Sequence, residues 1–205
     1  MTGLPRGTVA AIFAIPFFVL LCVHALAAAP SDPKLIEKNA KELRQQADKG
    51  NGDAALQLGN LLARNKIPAG QYGNAADWYK KGCVLNNLSA CHNAGASYEY
   101  GRNGVKLNNT EAANYYLKSA ERAFLPSLLN LAILHADGRV TSLDNRDGLK
   151  WILVAQKAAR QCPDAAICKL VLEDPKGYRA RLEAPLSADE RREARHLAER
   201  WQPVR

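Results

Sequence analysis

A block of the chain repeats itself, and that limits the available folds more than any other feature. Ala54-Ala55-Leu56-Gln57-Leu58-Gly59-Asn60-Leu61-Leu62 is matched by Ala90-Cys91-His92-Asn93-Ala94-Gly95-Ala96-Ser97-Tyr98. It recurs as Ser127-Leu128-Leu129-Asn130-Leu131-Ala132-Ile133-Leu134-His135. A second block follows each time: Ala75-Ala76-Asp77-Trp78-Tyr79-Lys80-Lys81, Ala112-Ala113-Asn114-Tyr115-Tyr116-Leu117-Lys118, and Gly148-Leu149-Lys150-Trp151-Ile152. The columns Gly59/Gly95/Ala132 and Trp78/Tyr115/Trp151 keep the same register at a period of 36–37 residues. That period belongs to solenoids of two-helix units, which bury their apolar faces only by stacking on neighbours. The fold class expected is all-α, an αα-solenoid of three repeats over residues 54–160.

Each unit has the same internal logic. Helix A carries a small residue (Gly59, Gly95, Ala132) where a neighbouring helix can come close. A connection follows with a β-branched residue suited to burial (Ile67, Val105, Val140) among turn formers, of which Gly101, Gly104 and Gly138 fit left-handed positions. A polar cap such as Thr110 or Asp144 opens helix B. Helix B then wedges Trp78/Tyr79, Tyr115/Tyr116 or Trp151/Ile152 against helix A, so these aromatics are expected to be core.

The ends read differently. Arg6 precedes an apolar stretch from Val9 to Val23, and Ala25-Leu26-Ala27 precedes Ala28, the three-part pattern of a secretory signal peptide over residues 1–27. An uncleaved membrane anchor is the alternative. Residues 28–53 are expected to form an N-terminal capping helix. Residues 161–205 hold a degenerate helix from about Asp164 to Leu172 and a C-terminal capping helix. The latter opens on Ser187-Ala188-Asp189-Glu190, a capping box, and carries Ala194, Leu197, Ala198 and Trp201 as an apolar stripe. Removal of the leader takes Cys22 and leaves Cys83, Cys91, Cys162 and Cys168. An even set suits an oxidising compartment, periplasmic or extracellular. Three pairings are open, and proximity favours Cys83–Cys91 with Cys162–Cys168.

Small-x3-Gly in helix A, Gly-x2-Gly-Val in the connection and Ala-Ala-x-aromatic-Tyr-x-Lys in helix B resemble Sel1-like repeats, which are related to tetratricopeptide repeats. The likeness covers about residues 54–160 and thins in the third unit, where Ala132 and Gly148 depart from the pattern. Cys83 with Cys91-His92-Asn93 is similar to cysteine-rich exported Sel1-like proteins of bacteria. There a disulfide ties the end of one helix B to the start of the next helix A. The resemblance implies a right-handed superhelix and a non-catalytic role in protein–protein interaction, as a periplasmic scaffold, regulator or toxin-neutralising immunity protein. Some cysteine-rich members carry a β-lactamase or penicillin-binding label, which keeps such a hydrolase as the alternative.

The residues themselves offer little chemistry. Ser31-Asp32-Pro33-Lys34 matches Ser-x-x-Lys formally, and Ser31 or Asp32 as a helix cap explains it. His92, His135 and His196 have no second ligand at helical spacing, so neither metal nor cofactor is expected. The chain carries a net charge of +8, but its bases alternate with acids, as in Glu190-Arg191-Arg192-Glu193, and no nucleic-acid module accompanies them. Membrane contact is expected only through an uncleaved N-terminal segment, and the chain is expected to be a monomer. The functional candidate is a surface. Gln57, Asn93 and Asn130 hold the same position in successive A helices, so stacking would align their amides, with Asn60 and Glu99 alongside. Amides both donate and accept, and such a column could hold a peptide main chain or tie repeats together.

Overall fold

The computed structural model describes residues 32–140, 144–162, 165–174 and 176–204. The leader, Cys22 and Ser31 lie outside them. Among the described residues there are eleven helices and no strand. They are α1 (Pro33–Asp48), α2 (Gly52–Ala63), α3 (Ala69–Tyr72), α4 (Ala75–Val84), α5 (Leu88–Tyr100), α6 (Asn109–Ala120), α7 (Leu125–Ala136), α8 (Asn145–Ala159), α9 (Ala166–Glu173), α10 (Tyr178–Glu183) and α11 (Ala188–Arg200).

Three pairs form the array: α2 with α4, α5 with α6, and α7 with α8. α1 packs on α2, α4 on α5 and α6 on α7, while α9, α10 and α11 all pack on α8. The chain is therefore an all-α solenoid. Two short helices had no counterpart in the sequence reading: α3 inside the first connection, and α10 between the degenerate helix and the cap.

Asparagine starts four of the six helices of the three pairs. Asn51, Asn74, Asn87 and Asn108 each sit in extended backbone and accept from the amide three residues on, satisfying one of the orphan donors of the first turn. Asp144 caps α8 as expected. Thr110 does not cap α6. Asn108 reaches the Glu111 amide first, and the helix begins before Thr110.

Helix ends repeat as strictly as helix starts. Gly50, Asn65, Asn86, Gly101, Ala123 and Gly138 all have positive φ. In each case the next residue's amide bonds the carbonyl five residues back: Asn51 to Gln46, Lys66 to Leu61, Asn87 to Gly82, Arg102 to Ser97, Phe124 to Ser119 and Arg139 to Leu134. Six Schellman closures thus shape the array. Between pairs, the closing residue (Asn51, Asn87 or Phe124) is also the N-cap of the next helix. Ala123 is the one alanine at such a position, with φ 62°, where a Cβ is strained. Ala123→Gly should raise stability by about 0.5–1 kcal/mol, read as a higher midpoint in urea; an unchanged or lower midpoint would contradict this.

Packing follows the two columns. A Cβ on Gly59 would lie 2.6 Å from the Tyr79 ring, and one on Gly95 would lie 2.7 Å from the Tyr116 ring. Ala132 and Ile152 hold the same columns in the third pair, both buried. Trp78, Tyr115 and Trp151 share another feature, a lysine ammonium over the ring: Lys81 at 5.1 Å, Lys118 at 5.0 Å and Lys150 at 4.0 Å. Ile67 and Val140 are buried as expected, whereas Val105 is only half-buried.

Cys83–Cys91 joins the last turn of α4 to the first of α5, and Cys162–Cys168 joins the end of α8 to α9. Both staples bridge a helix B to the following helix A. By loop closure each contributes about 2–3 kcal/mol. The joint between α6 and α7 has none. There the Ser119 hydroxyl donates to Ser127 Oγ at 2.6 Å, and Ser127 lies 3.0 Å from His92 Nδ1. At the C-terminus, Ala194 and Ala198 of α11 are buried and Trp201 meets Trp151 edge-on at 6.2 Å. Leu197, expected in the same stripe, is exposed. The Val204 amide donates to the Glu121 carbonyl at 2.7 Å, tying the tail back to the second pair.

Candidate functional site

Two concavities lie along the array. The first, of about 580 Å³, lies between α1 and α2: Ile36, Leu43 and Leu61 give it apolar walls, and Asn39, Gln57 and Asn60 give it amides. The second, of about 530 Å³, runs over α5, α7, α9 and α10. Ile133, Ile167 and Leu170 form its apolar part, and Glu99, Asn130 and Arg139 its polar part.

The expected surface residues are all on or between these concavities, yet they do not form one free ladder. Gln57 is exposed on the first. Asn60 accepts from the Tyr79 hydroxyl at 2.9 Å and from Asn93 Nδ2 at 3.4 Å, so the first two repeats are tied through their amides. Asn130 Nδ2 donates to the Tyr116 hydroxyl at 3.1 Å. Glu99, expected beside the column, is 4% exposed and accepts from Tyr116 at 2.6 Å and from Arg139 at 2.8 Å. Glu99 therefore builds the wall of the second concavity. Asn93 and Asn130, both half-buried, serve the repeat contacts, and Asn130 also lines the second concavity.

Burial, and then the hydrogen bond to Glu99, hold Tyr116 protonated far above the ordinary phenol range. Tyr116 is thus a fixed donor to the carboxylate. Glu99→Gln would keep an acceptor for Tyr116 but remove the charge that pairs with Arg139. Because Arg139 is partly exposed and can turn to water, the expected cost is about 1–2 kcal/mol. It would appear in chemical denaturation, and a loss below about 0.3 kcal/mol would mean that the pair is idle.

Burial also raises the Tyr79 phenol above its ordinary value, against the pull of the Arg102 and Arg64 guanidiniums. His92 packs at a tilt against the Tyr116 and Phe124 rings, and burial pushes its imidazole down to about 4. His135 is 4% exposed, and neither ring nitrogen has a partner. Its place in the column of Leu62 and Tyr98 is one of packing. His196 lies 3.4 Å from Arg200 on α11. Among the described residues no group of histidine, cysteine and carboxylate side chains could hold a metal. Asp32 caps α1 by accepting from the Lys34 amide, so Lys34 of the Ser-x-x-Lys match stands in a first helical turn. Sequence reasoning missed the α1 wall, although Ile36, Ala40, Leu43 and Ala47 show helical spacing. It also missed Arg139, whose partner Glu99 is 40 residues away.

No family model matches the chain, and no curated protein matches it. Solved structures do. One is a protective antigen present in uropathogenic Escherichia coli strains, displaying an SLR fold, with 21% identity and a TM-score of 0.61 over 80% of this chain and 32% of that one. Another is a Sel1 repeat protein from Oxalobacter formigenes, with 23% identity and a TM-score of 0.55 over 82% of this chain and 65% of that one. The chain spans about a third of the length of the first and less than two thirds of the second. These likenesses show the fold, a Sel1-like repeat solenoid.

Proposed function

We propose that this Sel1-like array is an exported, non-catalytic protein that holds a segment of a partner protein in the groove of its A helices. One observation carries the reading. The inner face combines partly buried apolar walls with amides and is left uncovered, while Ala194, Ala198 and Trp201 at the C-terminal end pack against α8. Small residues at the helix contacts let the repeats stack, and the amides offer a main chain both donors and acceptors. Scaffold, regulator and immunity roles would all use this face.

Export is supported by the two disulfides, which persist in oxidising compartments. Among the described residues no helix is long and apolar enough to cross a membrane. The protein acts as a monomer in this reading, with no nucleic acid bound.

A photo-crosslinking residue placed at Gln57 or Ile133, in the producing cell, should give a discrete protein adduct. The same residue at Asn114, exposed on the outer helix α6, should give none. Adducts of equal yield from all three, or from Asn114 alone, would reject the groove as the working face.

A further inference from the structure

The groove differs chemically between its halves. In the C-terminal half the charges answer one another, Lys176 excepted. Arg139 bonds Glu99 at 2.8 Å and approaches Asp137 at 3.5 Å, and Asp137 pairs with Arg181 at 3.0 Å. Asp174 accepts from the amides of Tyr178 and Arg179. The N-terminal half leaves its cations without such partners. Arg64 and Lys66 line it with a single carboxylate, Glu42, and Arg102 lies near Tyr79 and over the Tyr100 ring at 5.1 Å. All three are exposed, and none has a carboxylate within ion-pair distance among the described residues.

The repeat gives this imbalance a meaning. Lys66, Arg102 and Arg139 are the same position, the residue closing the Schellman turn of helix A. Each lies seven residues after its column member Gly59, Gly95 or Ala132. In the third unit the cation is met by Glu99, four residues after Gly95 in the preceding helix A. The residue that stands to Arg102 as Glu99 stands to Arg139 is Ala63, which brings no charge. The chain thus displays one carboxylate-filled cation site and repeats that site, unfilled, beside an apolar-walled groove.

Resting on the groove reading above, we infer that the N-terminal half receives an acidic, apolar-anchored segment of the partner protein. Its carboxylates take at Arg102 and Lys66 the place Glu99 holds at Arg139, while its apolar side chains lie on Ile36, Leu43 and Leu61. Opposite charge here sets partner choice and encounter rate as well as affinity.

The test is fluorescence anisotropy on the full oxidised protein, with a short labelled peptide of alternating leucine and glutamate. Its counterparts carry glutamine or lysine for glutamate. The glutamate peptide should bind about tenfold or more tighter than the glutamine peptide and lose that advantage as salt rises. The lysine peptide should bind weakest. Lys66→Glu with Arg102→Glu should invert the order at a nearly unchanged Tm, since neither side chain is held by a carboxylate and Arg102 only stacks on the partly exposed Tyr100 ring. Ala63→Glu should supply the missing carboxylate from within and weaken the glutamate peptide about tenfold, with Tm held or raised.

Three results overturn the inference: no binding of any peptide, equal binding of the glutamate and glutamine peptides, or an order unchanged by the charge reversal. In the last case a fall in Tm would mark the cations as partners of the helix C-termini alone. Adducts from Gln57 alongside such a result would leave the groove reading standing and remove only its acidic occupant. Loss of the adducts as well would remove both.

Discussion

Gly95→Val should cost about 3 kcal/mol or more of stability, enough to lower Tm by many degrees in a chain of this size. Even a bare Cβ at Gly95 would sit 2.7 and 2.8 Å from two atoms of the Tyr116 ring and 3.1 Å from the Ala112 carbonyl. The ring has no retreat. Tyr116 is fully buried and is held at its hydroxyl by both Glu99 and Asn130. Valine adds two methyl groups to this collision and a β-branched residue to a helix. Gly70→Ala is the matched control. Gly70 is in α3 with nothing within 4 Å of an added Cβ, so alanine there should be neutral or stabilise by up to about 1 kcal/mol. Urea denaturation of both variants decides the matter. A Gly95→Val protein as stable as its parent would mean that the column of small residues does not set helix approach.

Acid should weaken the fold well before its carboxylates titrate. Burial holds the His92 imidazole at about 4 in the folded chain, while unfolding restores it to the ordinary value near 6.5. Above that value neither state binds the proton, so His92 gives no pH dependence. As pH falls below about 6.5 the unfolded chain takes up a proton that the folded chain refuses, and stability declines until the folded group titrates too. Over that window the loss is about 2–3 kcal/mol. Burial shifts His135 in the same direction, with Asp147 opposing, Lys150 reinforcing and Asp144 opposing, so the two histidines act together. Stability measured between pH 7 and 4 should show the decline, and the double variant His92→Gln with His135→Leu should flatten it. An equal slope in the variant would assign the acid sensitivity to other groups.

The solenoid was legible because its two columns are functions of size. Small residues in helix A and aromatic residues in helix B recur at one spacing, and Gly59 against Tyr79 and Gly95 against Tyr116 are what that spacing encodes. The cysteine pairs were legible because their members lie only 8 and 6 residues apart. The short helices α3 and α10 were not, since four or six residues carry too little periodicity to separate from a turn. Left-handed positions were visible where glycine fills them, at Gly101 and Gly138. They were hidden at Asn65, Asn86 and Ala123, where backbone closure imposes a conformation that residue identity alone does not announce. In the groove, the amide positions were found by register. Glu99 was read as surface because its partners, Tyr116 and Arg139, arrive from elsewhere in the chain, and no local pattern joins them.

The six Schellman closures have a consequence for how such a chain can change its length. From Trp78 to Gly95 and from Tyr115 to Ala132 the spacing is 17 residues each time, whereas from helix A column to helix B column it runs 19, 20 and 19. Where one residue ends a helix and starts the next, there is no slack to absorb an insertion without rotating every later unit. All the give lies along the opposite edge, in the connections that lead from helix A to helix B. Loops grafted on that edge should leave the pitch of the array undisturbed, while a single residue added at Asn87 or Phe124 would put its two halves out of phase.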